Sequence, residues 1–136
     1  MLTGSCLCGA VVYEVTRLAS PLGNCHCRTC RKAHSAAFST TARVNREDFR
    51  WTRGEANLRH FESSPGKLRH FCSVCGSHLM AEWVARANVI LRMGCLDSEI
   101  DERPVIHIWT SQKASWFEIT DDLPQLPEGA PPVTTP

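Results

Sequence analysis

The chain has 136 residues, which is enough for one ordinary domain and too few for two. Hydrophobic residues make up 43% of it and the net charge is +1, so a disordered or fibrous chain is excluded. The near-neutral charge and the lack of a base-reading motif exclude a dedicated nucleic-acid-binding domain. Eight cysteines are the abnormal feature, and disulfides, a metal or catalysis must account for them.

The first residues of the chain bear on its compartment. Residues 1–5 contain neither the basic nor the apolar stretch of a secretory leader. No run approaches the roughly eighteen apolar residues of a membrane span. We therefore expect a cytoplasmic protein that does not enter the membrane. Because cytoplasmic thiols stay reduced, metal or thiolate chemistry is favoured over a disulfide framework.

Seven segments rich in β-branched or aromatic residues predict short strands bounded by turns. They cover residues 10–16, 37–44, 58–61, 67–71, 78–84, 88–93 and 105–110. The sequence SPG at residues 64–66 predicts a hairpin turn between the third and fourth strands. Short helical turns are expected after Cys30 and at residues 45–49, where Asn45 is a suitable N-cap. The pattern predicts a single, mostly β domain of antiparallel strands.

The end of the chain and its charge distribution differ from the rest. Residues 124–136 contain five prolines and few large apolar groups, so we expect an extended, mobile tail there. The first 70 residues carry eleven basic and five acidic side chains, and the remainder four and nine. Twelve of the fifteen basic residues are arginine, which suits recognition of carboxylates or phosphates. A solvated basic face is the alternative.

Seven of the eight cysteines fall into three clusters, at residues 6–8, 25–30 and 72–75. A C-x-x-C pair followed by glycine is typical of a zinc knuckle, and Cys72 and Cys75 fit that pattern. A structural zinc site needs four ligands, and Cys6 and Cys8 are the natural second pair. Such a site would join the start of a small β domain to its middle.

This assignment leaves Cys25, Cys27 and Cys30 together without a fourth cysteine. Catalytic zinc sites typically hold three protein ligands and leave one position for water or substrate. The spacing therefore predicts an open, catalytic Cys₃ zinc site. A thiol that entered the open position would be deprotonated and held for attack on an electrophilic carbon.

Other residues provide an alternative, in which the second site is closed and purely structural. His26, His34 or His78 would then supply the fourth ligand, or Cys95 would. For Cys95, burial as a small hydrophobic side chain is favoured. His26 lies between two ligands, so we expect its ring to point away from the metal.

Side chains near the second cluster suggest how it would recognise a substrate. Arg28, Arg31 and Lys32 surround the three-cysteine loop and would attract an anion, with solvated basic residues as the alternative. The tryptophans are expected in the core rather than in a pocket. They are Trp51, Trp83, Trp109 and Trp116.

Several motifs, in the same order along the chain, resemble those of a known family. They are GSCLCGAVVY at residues 4–13, CHCRTCRKA at 25–33, FCSVCGS at 71–77, GCLD at 94–97, HIW at 107–109 and WF at 116–117. The chain resembles, over residues 3–123, the glutathione-dependent formaldehyde-activating enzyme family, which also includes the centromere protein V domain.

The resemblance implies a β-tent fold with two zinc ions. The structural zinc would lie on Cys6, Cys8, Cys72 and Cys75, and the catalytic zinc on Cys25, Cys27 and Cys30. The implied activity is that of a carbon–sulfur lyase that reversibly adds glutathione, or a similar thiol, to formaldehyde or another small aldehyde. The adduct with formaldehyde is S-hydroxymethylglutathione.

Protonation of the adduct oxygen requires an acid, for which His26 and His34 are the nearest candidates in sequence. Two rival functions remain open at this point. One is a zinc-stabilised binding module that holds an anionic partner without catalysis. The other is a redox dithiol protein, suggested by the C-x-x-C pairs.

Overall fold

The structure is a computed structural model that describes residues 1–129. Within that range it contains ten strands, one helix and four short 3₁₀ turns. The strands are β1 (Leu2–Ser5), β2 (Val12–Val15), β3 (Leu22–Cys25), β4 (Ser39–Asn45), β5 (Phe49–Arg53), β6 (Leu58–Ser64), β7 (Lys67–Cys72), β8 (His78–Trp83), β9 (Asn88–Arg92) and β10 (Pro104–Ile108). Helix α1 covers Arg28–His34, and the 3₁₀ turns are Arg46–Asp48, Glu55–Asn57, Met93–Cys95 and Thr110–Gln112.

The strands form two sheets. A three-stranded sheet has the order β1-β2-β5, and a seven-stranded sheet has the order β10-β3-β4-β9-β8-β7-β6. Neighbouring strands are antiparallel except β10 and β3, which are parallel. The prediction of a single, mostly β domain is confirmed, with one parallel pair that the sequence pattern did not indicate.

The core consists of side chains that alternate along the strands and meet between the sheets. Tyr13 and Val15 of β2 are buried, whereas their neighbours Val12 and Glu14 are only half-buried. This period of two is what a strand with one buried face requires. The fully buried side chains of the core include Val11, Tyr13, Val15, Val44, Cys72, Leu79 and Leu91.

Three strands, β1, β3 and β5, were not predicted. Their sequences, LTGS, LGNC and FRWTR, are four or five residues long and contain glycine or charged side chains. Their strand conformation is stabilised by pairing with longer neighbours, such as β3 with β4. Intrinsic propensity is too weak to identify such strands.

Helix α1 begins earlier than predicted, at Arg28 instead of after Cys30. Its N-cap is Cys27, whose sulfur accepts a hydrogen bond from the Cys30 backbone N–H at 3.2 Å. It ends at His34, and its C-cap Ser35 adopts a left-handed conformation with φ of 50°. Asn45 precedes the 3₁₀ turn Arg46–Asp48 as expected, but its side chain makes no capping hydrogen bond.

The expectation that the tryptophans lie in the core holds for Trp51, which packs against the buried cluster. It is wrong for the other three. Trp83 and Trp109 line the cavity that also contains Cys25, Cys27 and Cys30, and Trp116 is 70% exposed. Their positions depend on which strands become neighbours, and a sequence pattern does not determine this.

The region expected to be a mobile tail is partly held against the seven-stranded sheet. The His107 backbone N–H donates to the Pro124 carbonyl, and the Leu126 N–H donates to the His107 carbonyl, both at 2.9 Å. The Trp109 N–H donates to the Glu128 carbonyl at 2.9 Å. Residues 124–128 therefore lie alongside β10. The rest of the expected tail, residues 130–136, lies outside the described residues.

Among residues 1–129, no helix has the length and apolar character needed to cross a membrane.

Candidate metal centres and the adjoining cavity

The first cluster joins the two sheets through four sulfur atoms that lie within 4.8 Å of one another. The Cys6 and Cys8 sulfurs are 3.6 Å apart, and those of Cys8 and Cys72 are 3.8 Å apart. A zinc ion with four Zn–S bonds of ~2.3 Å has sulfur–sulfur distances of ~3.8 Å. Together with Cys75, these side chains therefore form a site whose dimensions fit zinc.

Local backbone geometry explains how the first cluster forms. Gly9 and Gly76 follow the two cysteine pairs and have φ of 78° and 80°, a conformation that glycine adopts readily. The Val11 N–H donates to the Cys6 sulfur at 3.3 Å, and the Val74 N–H donates to the Cys72 sulfur at 3.4 Å. Neutral donors such as these stabilise thiolates without adding charge.

The second cluster is built by the junction of β3 and α1. Cys25 ends β3, Cys27 caps α1, and Cys30 lies in its first turn. The three sulfurs lie within 4.8 Å of one another, with Cys25 and Cys30 buried and Cys27 half-buried. This set also has the size and the soft sulfur donors that zinc prefers.

Negative charge within the second cluster concentrates on Cys30. The pKa of the Cys30 thiol is lowered because the thiols of Cys25 and Cys27 donate hydrogen bonds to its thiolate, with a further contribution from the charge of Arg92. The pKa of Cys25 is raised because its hydrogen bonds to Cys27 and Cys30, together with burial, favour its neutral form. The hydrogen bonds among the three thiols therefore favour a thiolate at Cys30.

Within residues 1–129, no fourth His, Cys, Asp or Glu side chain joins the second cluster. His26 is turned away, since its Nε2 is 2.8 Å from Nδ1 of His107, whose Nε2 is 3.0 Å from Asp121. The His34 ring faces His78 at 5.0 Å. These contacts do not support the closed alternative.

Cys95, the last alternative ligand, belongs to neither cluster among residues 1–129. It packs against the hydrophobic core, and its thiol donates to the His78 carbonyl at 3.3 Å. This position agrees with the buried role that was favoured from the sequence.

The three sulfurs of the second cluster open onto a cavity of about 690 Å³. Its basic walls are Arg43, Lys67, Arg86 and Arg92. Its other walls are Thr41, Trp83, Asn88, Ile90, Ile108, Trp109 and Gly129. No acidic residue lines the cavity, and within the described range none of the four cations has a carboxylate within 4.0 Å. The cavity therefore suits an anionic ligand that extends away from the sulfurs.

The cations that the sequence placed at this site lie elsewhere. Arg28 and Lys32 line a different, mostly apolar cavity with Phe61 and Phe71. Arg31 donates to the Gln112 carbonyl at 2.7 Å. Proximity in sequence was misleading here because α1 directs these side chains away from the cavity at Cys25, Cys27 and Cys30.

Lys67 and Arg86 flank the Trp83 ring, each 5.1 Å from its centre. Cation–π contact with an indole holds such side chains in place. The pKa of Lys67 is lowered because the side chain is partly buried and lies near the charges of Arg69 and Arg92. Lys67 is thus an ammonium beside the thiols that gives up its proton more readily than usual.

The acid candidates from the sequence, His26 and His34, do not line the cavity of the second cluster. Burial lowers the pKa of each ring to about 4, so both are neutral near pH 7. His26 instead begins the chain of hydrogen bonds to His107 and Asp121. Lys67, to which no sequence pattern assigned a role, is a titratable side chain that does line this cavity.

Comparison with known proteins agrees with these features. Residues 1–112 match the family model described as glutathione-dependent formaldehyde-activating enzyme. A protein of Halomonas elongata, provisionally named a glutathione-dependent formaldehyde-activating enzyme, is 28% identical over 130 residues, which cover 88% of this chain and 81% of that protein.

A crystal structure of a Rhodobacter sphaeroides protein has a similar fold, with a TM-score of 0.62 and 24% identity. The similarity covers 73% of this chain and 91% of that one. At this level of identity, the likeness concerns the fold alone.

Proposed function

This chain belongs to the glutathione-dependent formaldehyde-activating enzyme family, and we propose that it is a zinc-dependent carbon–sulfur lyase. Its substrates are a small thiol, glutathione or a similar molecule, and formaldehyde or another small aldehyde. We place the reaction in the cytoplasm, where thiols stay reduced. The observation that carries the proposal is the open three-cysteine cluster beside a cavity with four cations that have no carboxylate partner among residues 1–129.

The proposed reaction is a reversible addition without net oxidation. The thiol loses its proton, and its sulfur forms a bond to the aldehyde carbon. The π electrons of the carbonyl move to oxygen, which takes up a proton to give the hydroxymethyl adduct. In the reverse direction the carbon–sulfur bond breaks and the aldehyde leaves. A zinc ion held by Cys25, Cys27 and Cys30 would supply the Lewis acidity that keeps the thiol deprotonated.

Side chains of the cavity supply the other requirements. Arg43 and Arg86 are exposed cations at its walls, placed to bind carboxylates of the thiol substrate. Glutathione carries two carboxylates, and the cavity volume of about 690 Å³ is within the usual range for small-molecule sites. Lys67 is half-buried in the wall of the same cavity as the three cysteines and donates the proton to the adduct oxygen. Trp83 and Trp109 limit access of water to the reacting atoms.

Exchange NMR tests this proposal directly. Glutathione and formaldehyde at equilibrium are mixed with a catalytic amount of zinc-loaded protein, and exchange between free and adduct signals is measured. We expect exchange faster than in buffer, and Cys27→Ala should abolish the increase. If several thiols and aldehydes exchange no faster than in buffer, the binding-module function is favoured instead.

Metal analysis provides the accompanying control. The wild-type protein should retain two zinc ions per chain, and Cys27→Ala should retain one with an unchanged circular dichroism spectrum. Loss of both ions with unfolding would show that the second site is structural. Rapid alkylation of the cysteines without a chelator would support the redox dithiol function, because zinc-bound thiolates react slowly.

A further inference from the structure

Two arginines are buried beside the second cluster. Arg69 of β7 is 3% exposed, and Arg92 of β9 is 5% exposed. The terminal nitrogens of Arg69, Nη1 and Nη2, each lie 3.9 Å from the Cys30 sulfur. Arg92 lines the cavity that contains all three thiols, and its Nη2 has no hydrogen-bond partner.

Neither guanidinium has a carboxylate within 4.0 Å among residues 1–129. The Arg69 Nε donates to the Ser63 hydroxyl at 2.9 Å, which is a neutral acceptor. A buried charge is unfavourable unless a charge of opposite sign compensates it. The cysteine sulfurs are the anions available to Arg69 and Arg92 in this part of the molecule.

The surroundings of the first cluster differ, since the exposed Arg53 donates to the Gly9 carbonyl at 2.7 Å and not to a sulfur. Within the described residues, its sulfurs receive hydrogen bonds from the backbone of Val11 and Val74, and the Ser77 hydroxyl lies 3.3 Å from the Cys75 sulfur. No arginine or lysine side chain donates to these four sulfurs in residues 1–129. Two sites with the same type of ligand thus differ in the charge of their surroundings.

The charge around each cluster is consistent with the number of its sulfurs, which is four in the first site and three in the second. Three thiolates around a divalent ion leave one negative charge, and Arg69 and Arg92 together carry two positive charges. Lys67 is a further cation on the wall of the same cavity, so the second site has an excess of positive charge, which a fourth thiolate would reduce.

We propose that Arg69 and Arg92 make the three-cysteine centre select an anion as its fourth ligand, so that the substrate thiol is held as its thiolate. This inference rests on the proposed function, since it assumes a divalent metal on the three sulfurs. The two arginines act through the charge of the centre, so they are positioning residues and do not contact the aldehyde. The selection depends on charge, and lysine should replace arginine in part.

The test uses full-length protein with Co²⁺ in both sites, because thiolate binding to Co²⁺ gives a charge-transfer absorption band. The probe is 2-mercaptoethanol, which has no carboxylate and therefore does not depend on Arg43 or Arg86. Imidazole is the neutral ligand for comparison. The variants are Arg92→Met and Arg92→Lys, and the control is Arg50→Met, which removes an exposed arginine paired with Glu14 at 2.6 Å.

We expect Arg92→Met to weaken 2-mercaptoethanol binding at pH 7 by at least about tenfold, from the loss of one nearby unit charge. The pH midpoint of thiol binding should rise, because the thiolate is stabilised less. Imidazole binding should change by less than about threefold, since a neutral ligand gains little from the charge. Arg92→Lys should recover most of the thiol affinity, and Arg50→Met should match the wild type.

The inference is overturned if Arg92→Met weakens the binding of 2-mercaptoethanol and imidazole equally, or if it leaves the affinity for 2-mercaptoethanol unchanged. A lysine variant as weak as the methionine variant would do the same, because it would indicate a role in packing. If Arg92→Met does not fold, Arg69→Gln carries the same prediction, with Arg69→Lys as its rescue. The absorption bands of the first site report folding in every variant.

These outcomes are distinguishable from those of the exchange experiment. If the protein does not accelerate adduct exchange but still binds thiolate in an arginine-dependent way, the inference holds and the lyase function fails. If exchange is accelerated while thiol affinity is independent of both arginines, the lyase function holds and the inference fails.

Discussion

Lys67 is the proton donor in the proposed reaction. It is half-buried, lies beside the three sulfurs and stacks on Trp83. Its pKa lies below the usual 10.5 because burial and the charges of Arg69 and Arg92 disfavour the ammonium. A lowered pKa makes a lysine a better proton donor near neutral pH. No feature of the sequence around residue 67 distinguishes it from a surface lysine.

Substitution of Lys67 tests its role as the proton donor. Lys67→Met should reduce the maximal rate of adduct exchange by roughly a hundredfold, the lower range for general acid catalysis. Lys67→Arg should be similarly slow, because arginine keeps the charge but does not release its proton. In the wild type, exchange should slow as pH rises through the lowered pKa of Lys67, below 10.5, since the protonated form is the active one.

The control for this series is Lys32→Met, which removes a lysine that lines a different cavity. It should leave both the rate and its pH dependence unchanged. Full activity in Lys67→Arg, or an alkaline limb that persists in Lys67→Met, would show that another group donates the proton.

At the scale of the elements, short strands depend on close backbone contacts that their sequences do not reveal. Gly54 follows β5 with φ of 75°, and a Cβ atom there would lie 1.8 Å from the Ala10 carbonyl oxygen. This contact lets the end of β5 pack against the chain that leads into β2. The pairing of Val12 with Arg53 continues the same contact.

A matched pair of substitutions tests this contact. Gly54→Ala should lower the free energy of unfolding by about 2 kcal/mol or more, because it combines a steric clash with a strained backbone. Gly94→Ala should change it by about 0.5 kcal/mol at most, since no atom lies within 4 Å of the added Cβ. Urea unfolding of the zinc-loaded variants measures both changes in unfolding free energy. Similar changes in the two variants would show that the contact of Gly54 with Ala10 does not stabilise the fold.

At the scale of the whole molecule, the first cysteine cluster connects the two sheets. Cys6 and Cys8 follow β1 of the three-stranded sheet, and Cys72 ends β7 of the seven-stranded sheet. The Cys8 and Cys72 sulfurs are 3.8 Å apart although 64 residues separate them. A metal at this position restricts the unfolded chain over a long loop and adds its binding energy to folding.

Cys75→Ser should therefore destabilise the whole fold. We expect the loss of one zinc ion and a decrease of several kcal/mol in unfolding free energy, because structural zinc contributes apparent binding energies of about 10–16 kcal/mol. Thermal unfolding followed by circular dichroism, together with zinc analysis, measures this. Cys27→Ala, which affects the second cluster, is the matched comparison and should unfold at nearly the wild-type temperature. Equal destabilisation by the two variants would contradict the division into a structural and an open site.

The sequence by itself determined the features that depend on local spacing. The cysteine pairs, the glycine that follows each pair, and the β-branched or aromatic runs of strands such as β2 are local patterns, and they indicated a mostly β domain and the grouping of the seven sulfurs. Each pattern is set within a few residues, so it can be identified without knowing which strands are neighbours.

Only the tertiary structure decided what surrounds the three sulfurs. Lys67, Arg69 and Arg92 come from β7 and β9, which lie about 40 to 60 residues beyond the cluster. The direction of His26 towards His107 and the path of residues 124–128 along β10 are also contacts between distant segments. Strand pairing is non-local, and the side chains it brings to a site are fixed by register and by sheet order. Neither is encoded in the residues next to the site.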